Sequence, residues 1–174
     1  MGASPRFTWV IDGLDLAGTE RVVEVGCGHG IAASLLIDAL DAAAGEGGSY
    51  LGIDRSPAMV AACGARHDGA VADGRAAFVL ADAASATIEP GSVDVVVAWR
   101  VADLAKAPSL AALVSWLAPT GRIVLAFDDP DPARTAATAA RAERSAAPAG
   151  ARVEAVRHLD PPDGPVTAVH LTAR

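Results

Sequence analysis

The stretch Val22-Val23-Glu24-Val25-Gly26-Cys27-Gly28-His29-Gly30 constrains this chain more than any other. A β-branched run ends in three alternating glycines, and an Ala- and Leu-rich stretch follows over 31–44, with Leu35, Leu36 and Leu40 at helical spacing. Valine suits a pleated strand, and glycine lets the chain turn tightly where other residues cannot. The segment therefore reads as strand, turn, helix. At such a junction a ligand can lie against bare backbone, and the helix start offers free N–H groups and the positive end of its dipole.

The alternation continues along the chain. Further strands are expected at 50–54, 76–81, 93–98, 122–127, 151–158 and 166–172, and further helices at 56–66, 108–117 and 131–145. Ser56 is placed to cap the first of these helices, with Pro57 tolerated in its first turn. Asp131-Pro132 is the same kind of start signal. Residues 67–74 read as a loop, and Pro119-Thr120-Gly121 as a turn before the fifth strand. Strands alternating with helices make a mostly parallel sheet covered on both faces. The link 160–165 is too short for a crossover helix, so one of the last two strands runs antiparallel to its neighbour. The 174 residues suit one α/β domain, residues 1–174, with 1–20 as an N-terminal helical segment.

Spacing separates two ligand classes. The dinucleotide fingerprint is G-x-G-x-x-G, whereas this chain has G-x-G-x-G with Glu24 two residues before the first glycine. An acid there is unhelpful to a pyrophosphate and suits a ligand carrying an ammonium group. Asp54 ends the second strand, where a carboxylate can accept from ribose hydroxyls, and Asp82 follows the third. Ligands of open parallel sheets sit outside the carboxyl ends of the strands, so Glu24, Asp54 and Asp82 are expected to line one crevice that takes an adenosine-type cofactor.

Composition narrows the setting. Hydrophobic residues are 52% and charged residues 20%, as in a globular chain. No apolar run approaches the roughly 18 residues that span a bilayer. No signal peptide is expected, since Met1–Trp9 lacks a charged start before an apolar stretch. Cys27 and Cys63 are the only cysteines, too few for a disulfide framework, which makes a cytoplasmic setting the default. The net charge of −7 and scattered arginines argue against tracking a duplex phosphate backbone.

Taken together, VVEVGCGHG, LGIDRSPAMV, FVLADAAS, VDVVVAWRVADL and LAPTGRIVLAF resemble the class I S-adenosylmethionine-dependent methyltransferases, over about residues 21–127. The resemblance implies a doubly wound Rossmann-like, mostly parallel seven-stranded sheet of order 3-2-1-4-5-7-6 with strand 7 antiparallel, and S-adenosylmethionine as cofactor. It places Gly26, Cys27, Gly28 and Gly30 at the methionine portion and Glu24 toward its ammonium. Asp54 falls at the ribose, Arg55 and Met59 against the adenine, Asp82 and the Ala83 N–H at the adenine edge, and Ala98 and Trp99 near the reacting methyl. The chain is expected to be a small member of that family, bacterial by its Ala-rich, Lys-poor composition, whose modest cover suits a small-molecule acceptor or the surface of a larger partner.

Departures from the family pattern matter too. Ala98-Trp99-Arg100 is not the Asn/Asp-Pro-Pro-Tyr/Phe motif of enzymes methylating adenine or glutamine nitrogens. No metal-ligand cluster stands out, and neither cysteine follows a proline. For a general base, if one is needed, His29, Asp103 and Asp128 are candidates, with Arg100 beside them. Phe7, Trp9, Trp99 and Arg100 are candidates for contacting the acceptor; the N-terminal segment would either fold over the cofactor as a lid or pack on the sheet. Two alternatives stay open: a non-catalytic S-adenosylmethionine-binding protein on this fold, and a nicotinamide-dependent oxidoreductase domain.

Overall fold

The computed structural model describes residues 4–160 and 164–174. In chain order the elements are α1 (Pro5–Asp12), β1 (Arg21–Val25), α2 (Ile31–Ala42), β2 (Ser49–Asp54), α3 (Pro57–Arg66), α4 (Asp68–Ala72) and β3 (Ala76–Leu80). Then come β4 (Val93–Trp99), a 3-10 turn (Ala102–Ala105), α5 (Ala107–Trp116), β5 (Leu117–Phe127), α6 (Pro132–Ala146), β6 (Ala151–Leu159) and β7 (Val166–Ala173). The seven strands form one sheet of order β3-β2-β1-β4-β5-β7-β6. The pairs β1–β2, β1–β4, β2–β3 and β4–β5 are parallel, and β7 is antiparallel to both β5 and β6. Sheet order and strand direction match the sequence expectation; residues 161–163 of the expected final loop lie outside the described residues.

The central strands explain why both faces are covered. In β4 every residue from Val95 to Trp99 is buried, as a parallel strand between two helical layers requires. Period-two alternation divides the core. Val23, Val25, Val96, Ala98, Ile123 and Leu125 face α5 and α6. Val22, Val95, Val97, Trp99, Val124 and Ala126 face α1 and α2, meeting Val10, Ile11, Leu36 and Leu40. Burying one Val or Leu is worth about 1.5–3 kcal/mol, so these two layers, more than helix propensity, place the helices.

Three local expectations need correction. Residues 67–74 are not all loop: α4 forms because Ala70 finds a place in the core beside Tyr50 and Ala76. Pro119-Thr120-Gly121 is not a turn outside the sheet but lies within β5. Val93 pairs with Leu117 and Val95 with Arg122, so the extra residues bulge between them. The side chain of Ser56 makes no cap hydrogen bond; its N–H instead donates to Asp54 Oδ1 at 2.9 Å. Asp131 does cap α6, accepting from the Ala133 N–H at 3.0 Å.

Candidate functional site

The glycine turn is built against the end of β2. The N–H groups of Gly26 and Cys27 donate to the Ile53 carbonyl at 2.7 and 3.1 Å, and that of Gly28 donates to Asp54 Oδ2 at 2.9 Å. Gly26 has φ 84° and Gly30 φ 77°, backbone states that cost an L side chain about 1–2 kcal/mol. A Cβ on Gly26 would also sit 2.7 Å from Val101 Cγ2. Here glycine is required both for the turn and for the close approach of the loop after β4.

Asp54 thus closes the turn with one oxygen and starts α3 with the other. Each carboxylate oxygen has a second lone pair, and Asp54 is only partly buried. It looks into a crevice of about 510 Å³ outside the carboxyl ends of β1 to β4, where the strand order reverses between β1 and β4. Val25 and Gly26 form one end, Ile53, Asp54 and Arg55 the middle, and Ala81, Asp82, Ala83 and Ala84 the other end. Arg100, Val101, Ala102, Asp103, Leu104 and Ser109 make the facing wall.

Asp82 and Asp103 are held as anions by their neighbours. Asp82 Oδ1 accepts from the Ser85 hydroxyl (2.8 Å) and the N–H groups of Ser85 (2.8 Å) and Ala84 (3.0 Å), so Asp82 caps its own turn. These bonds, the Ser85 hydroxyl first, pull its pKa below the usual carboxylate value. Its Oδ2 makes no hydrogen bond among the described residues. Asp103 is likewise lowered, first by the Lys106 ammonium bonded to it. The Arg55 guanidinium favours ionisation of both.

Glu24 lies elsewhere. It shares a strand face with Val22 and is buried beneath the turn, accepting a 2.6 Å hydrogen bond from the Tyr50 hydroxyl. It does not line the crevice. Gly52 stands opposite Glu24 in register, and a Cβ there would meet the Tyr50 hydroxyl at 2.9 Å, so the missing side chain makes room for the pair. Burial raises the Glu24 pKa to about 7, with the nearby Asp54 adding to the rise and the Tyr50 bond opposing it.

Of the remaining sequence candidates, Cys27 is buried, and desolvation together with the neighbouring Cys63 pushes its thiol pKa up. Met59 is half-buried on α3 and His29 is exposed, both away from the crevice walls. Ala98 and Trp99 are buried in the two core layers. Phe7 stacks on Trp99 with ring centroids 4.1 Å apart, and Trp9 packs against the same layer, so these aromatics join α1 to the sheet.

A smaller crevice of about 240 Å³ adjoins the first, sharing Arg100 and Ala102 with it. Its other walls are Phe127, Asp128, Asp129, Pro130, Thr135 and Thr138. Asp128 is buried and paired with two arginines, Arg100 from the end of β4 and Arg6 from α1 at 2.9 Å. Sequence reasoning missed Tyr50, Arg6, Val101, Ser109 and the two threonines. Tyr50 is the sole tyrosine, but what brings it to Glu24 is the register of β1 on β2, which no local pattern shows. Among the described residues no cluster of three or more His, Cys, Asp or Glu could hold a metal ion.

Residues 22–121, more than half of the chain, match the family described as methyltransferase domain. The chain belongs to that family. Solved methyltransferase structures share its fold. A SAM-dependent methyltransferase from Aquifex aeolicus superposes with TM-score 0.78 at 16% identity, over 97% of this chain and 93% of that one. The geranyl diphosphate C-methyltransferase of Streptomyces coelicolor, in complex with Mg2+, geranyl diphosphate and S-adenosyl-L-homocysteine, gives 0.76 at 14% identity, over 97% and 78%. An O-methyltransferase from neocarzinostatin biosynthesis, in complex with S-adenosylmethionine and 2-hydroxy-5-methyl naphthoic acid, gives 0.68 at 20% identity, over 97% and 53%. No curated protein matches the chain in sequence.

Proposed function

We propose that this methyltransferase-family chain uses S-adenosylmethionine to methylate a small-molecule acceptor, with the larger crevice as the cofactor site. The observation that carries the reading is the order of groups along that crevice: bare glycine backbone, then Asp54, then Asp82 at successive strand ends. Its volume of about 510 Å³ lies within the range of about 300–1,000 Å³ usual for cofactor pockets.

The free lone pairs of Asp54 accept from the ribose hydroxyls, and Asp82 Oδ2 with the Ala83 N–H meets the adenine edge. Arg55 lies on the adenine side, with Met59 on α3 behind it and outside the crevice walls, and Gly26, Cys27, Gly28 and Gly30 run beneath the methionine portion. Glu24 acts on the ammonium from below the turn, through water. When bound, the cofactor supplies a methyl group already activated on a sulfonium. The chain's task is then to hold the acceptor in line and keep water out, which can account for much of the barrier lowering. The smaller crevice adjoins the cofactor site and is of small-molecule size, which supports it as the acceptor site. The fold neighbours in complex with geranyl diphosphate and a naphthoic acid support a small acceptor. Asp103 is the candidate base on the crevice wall. Cysteine usage supports a cytoplasmic setting, and among the described residues no helix is long and apolar enough to cross a membrane.

The test is equilibrium dialysis against methyl-labelled S-adenosylmethionine, followed by incubation with pooled small acceptors. Retained label that moves to an acceptor supports the proposal. Retention without transfer supports a non-catalytic binder, and no retention rules the reading out.

A further inference from the structure

We infer that the smaller crevice recognises a monocarboxylate on its ligand, with Arg100 as the anchoring residue and Asp128 as the positioning residue behind it. This deepens the proposed function by naming the class of acceptor, and it rests on that reading only for the step that follows binding.

The first observation is backbone. Arg100 directly follows β4 with φ 61°, one of two described non-glycine residues in the left-handed region. Such a state is held only where the surroundings over-determine it. Here the Arg100 N–H donates to the Ala126 carbonyl at 3.0 Å, which turns the side chain out of the sheet and between the two crevices.

The second is the spent and unspent hydrogen-bond capacity. The Asp128 side chain is fully buried and takes Arg100 side-on, Oδ1 from Nε and Oδ2 from Nη2 at 2.6 Å, while Arg6 Nη1 reaches Oδ2 at 2.9 Å. A guanidinium has five N–H donors, and this grip uses two of them. The three left lie on Nη1 and Nη2, and the Arg100 side chain is 57% exposed. A pair of donors on Nη1 and Nη2 matches the two oxygens of a second carboxylate.

The remaining polar groups of the crevice compete poorly for that role. Asp129 Oδ1 already accepts from the Asp131 N–H. The Thr135 and Thr138 hydroxyls donate to the carbonyls of Asp129 and Arg134. Arg100 therefore holds the unspent strong donors. One donor on each of Nη1 and Nη2 offers two parallel hydrogen bonds, the number that a single planar carboxylate accepts. Phe127, Pro130 and Ala102 give the ligand's body an apolar wall.

The experiment uses three probes of one size: 2-hydroxybenzoate, its neutral amide, and phenyl phosphate. Each is titrated by calorimetry into the full chain, with and without S-adenosylhomocysteine. The readout is the preference for carboxylate over amide, which a general loss of structure would not change selectively. We expect a preference of about tenfold or more, falling close to one in Arg100→Gln and Asp128→Asn and partly in Arg100→Lys, which keeps the charge but not the fork. Should Asp128→Asn fail to fold, the two Arg100 variants decide. No binding of any probe, equal binding of carboxylate and amide, tighter binding of phenyl phosphate, or a preference that survives Arg100→Gln would each overturn the inference. Carboxylate preference without any S-adenosylhomocysteine binding would instead remove the methyltransferase reading and leave this site standing.

Discussion

At the scale of single residues, Glu24 makes the sharpest statement. It is an acid buried beneath a turn, kept by one phenol hydroxyl, with no cation in contact among the described residues. Its folded pKa of about 7 lies above the ordinary 4.5, so the folded state binds its proton more tightly than the unfolded state does. The stability this gives is full below about pH 4.5 and is lost as pH rises through 7. The loss is on the order of 3 kcal/mol, taking about 1.4 kcal/mol per pKa unit. Glu24→Gln should therefore narrow the difference in urea midpoint between pH 5 and pH 8, while Tyr50→Phe should widen it. An unchanged difference in Glu24→Gln would mean that the acid does not titrate in this range. The acid was legible in the sequence because it stands two residues before a glycine turn. Its partner was not, because which strand faces which follows from sheet order and register rather than from local pattern.

At the scale of elements, helix starts separate signal from mechanism. Ser56 and Asp131 both precede a proline and both read as caps, but only the Asp131 side chain accepts from a helix N–H, that of Ala133. At Ser56 the hydroxyl makes no such bond, and what fixes the residue is its own backbone N–H, which donates to the Asp54 carboxylate. Asp131→Ala should accordingly lower stability by about 1 kcal/mol and Ser56→Ala by well under half of that, as read from denaturant midpoints. Equal effects would show that the cap geometry has been misassigned. Apart from the start of β5, which lies five residues before the expected one, strand positions were legible to within a residue or two, because β-branched runs such as that of β4 have no helical alternative. The helix α4 was not, because five residues carry too little periodicity and Ala70 is held there by tertiary burial. The bulge at 119–121 was hidden for a related reason: Pro and Gly signal a break in the ladder but not whether the strand resumes after it.

At the scale of the whole molecule, the core layer on the α2 face ties the N-terminal helix to the sheet. Val10, Ile11 and Leu14 are buried among Val22, Leu36 and Tyr50, Phe7 stacks on Trp99, and Arg6 reaches Asp128. A chain lacking residues 1–14 loses three fully buried aliphatic side chains at about 2 kcal/mol each. It should melt well below the full chain in a calorimetric scan, and an unchanged melting temperature would make α1 a lid alone. Element alternation made the mostly parallel sheet legible, its strand order came only with the family resemblance, and Gly26, Asp54 and Asp82 marked the crevice at the switch point. The smaller crevice was legible only in part: Arg100 and Asp128 stood out in the sequence, but Arg6 and Thr135 did not, because these residues are far apart in sequence and meet only through the fold. The central claim is that the larger crevice binds S-adenosylmethionine through Asp54, and its most direct test is calorimetric titration of S-adenosylhomocysteine into the wild-type chain and Asp54→Ala. The account predicts one site per chain with Kd on the order of 10 μM or tighter, about −7 kcal/mol, lost in a variant that keeps the wild-type circular dichroism spectrum. Absence of binding to the wild type, or undiminished binding to Asp54→Ala, would contradict it.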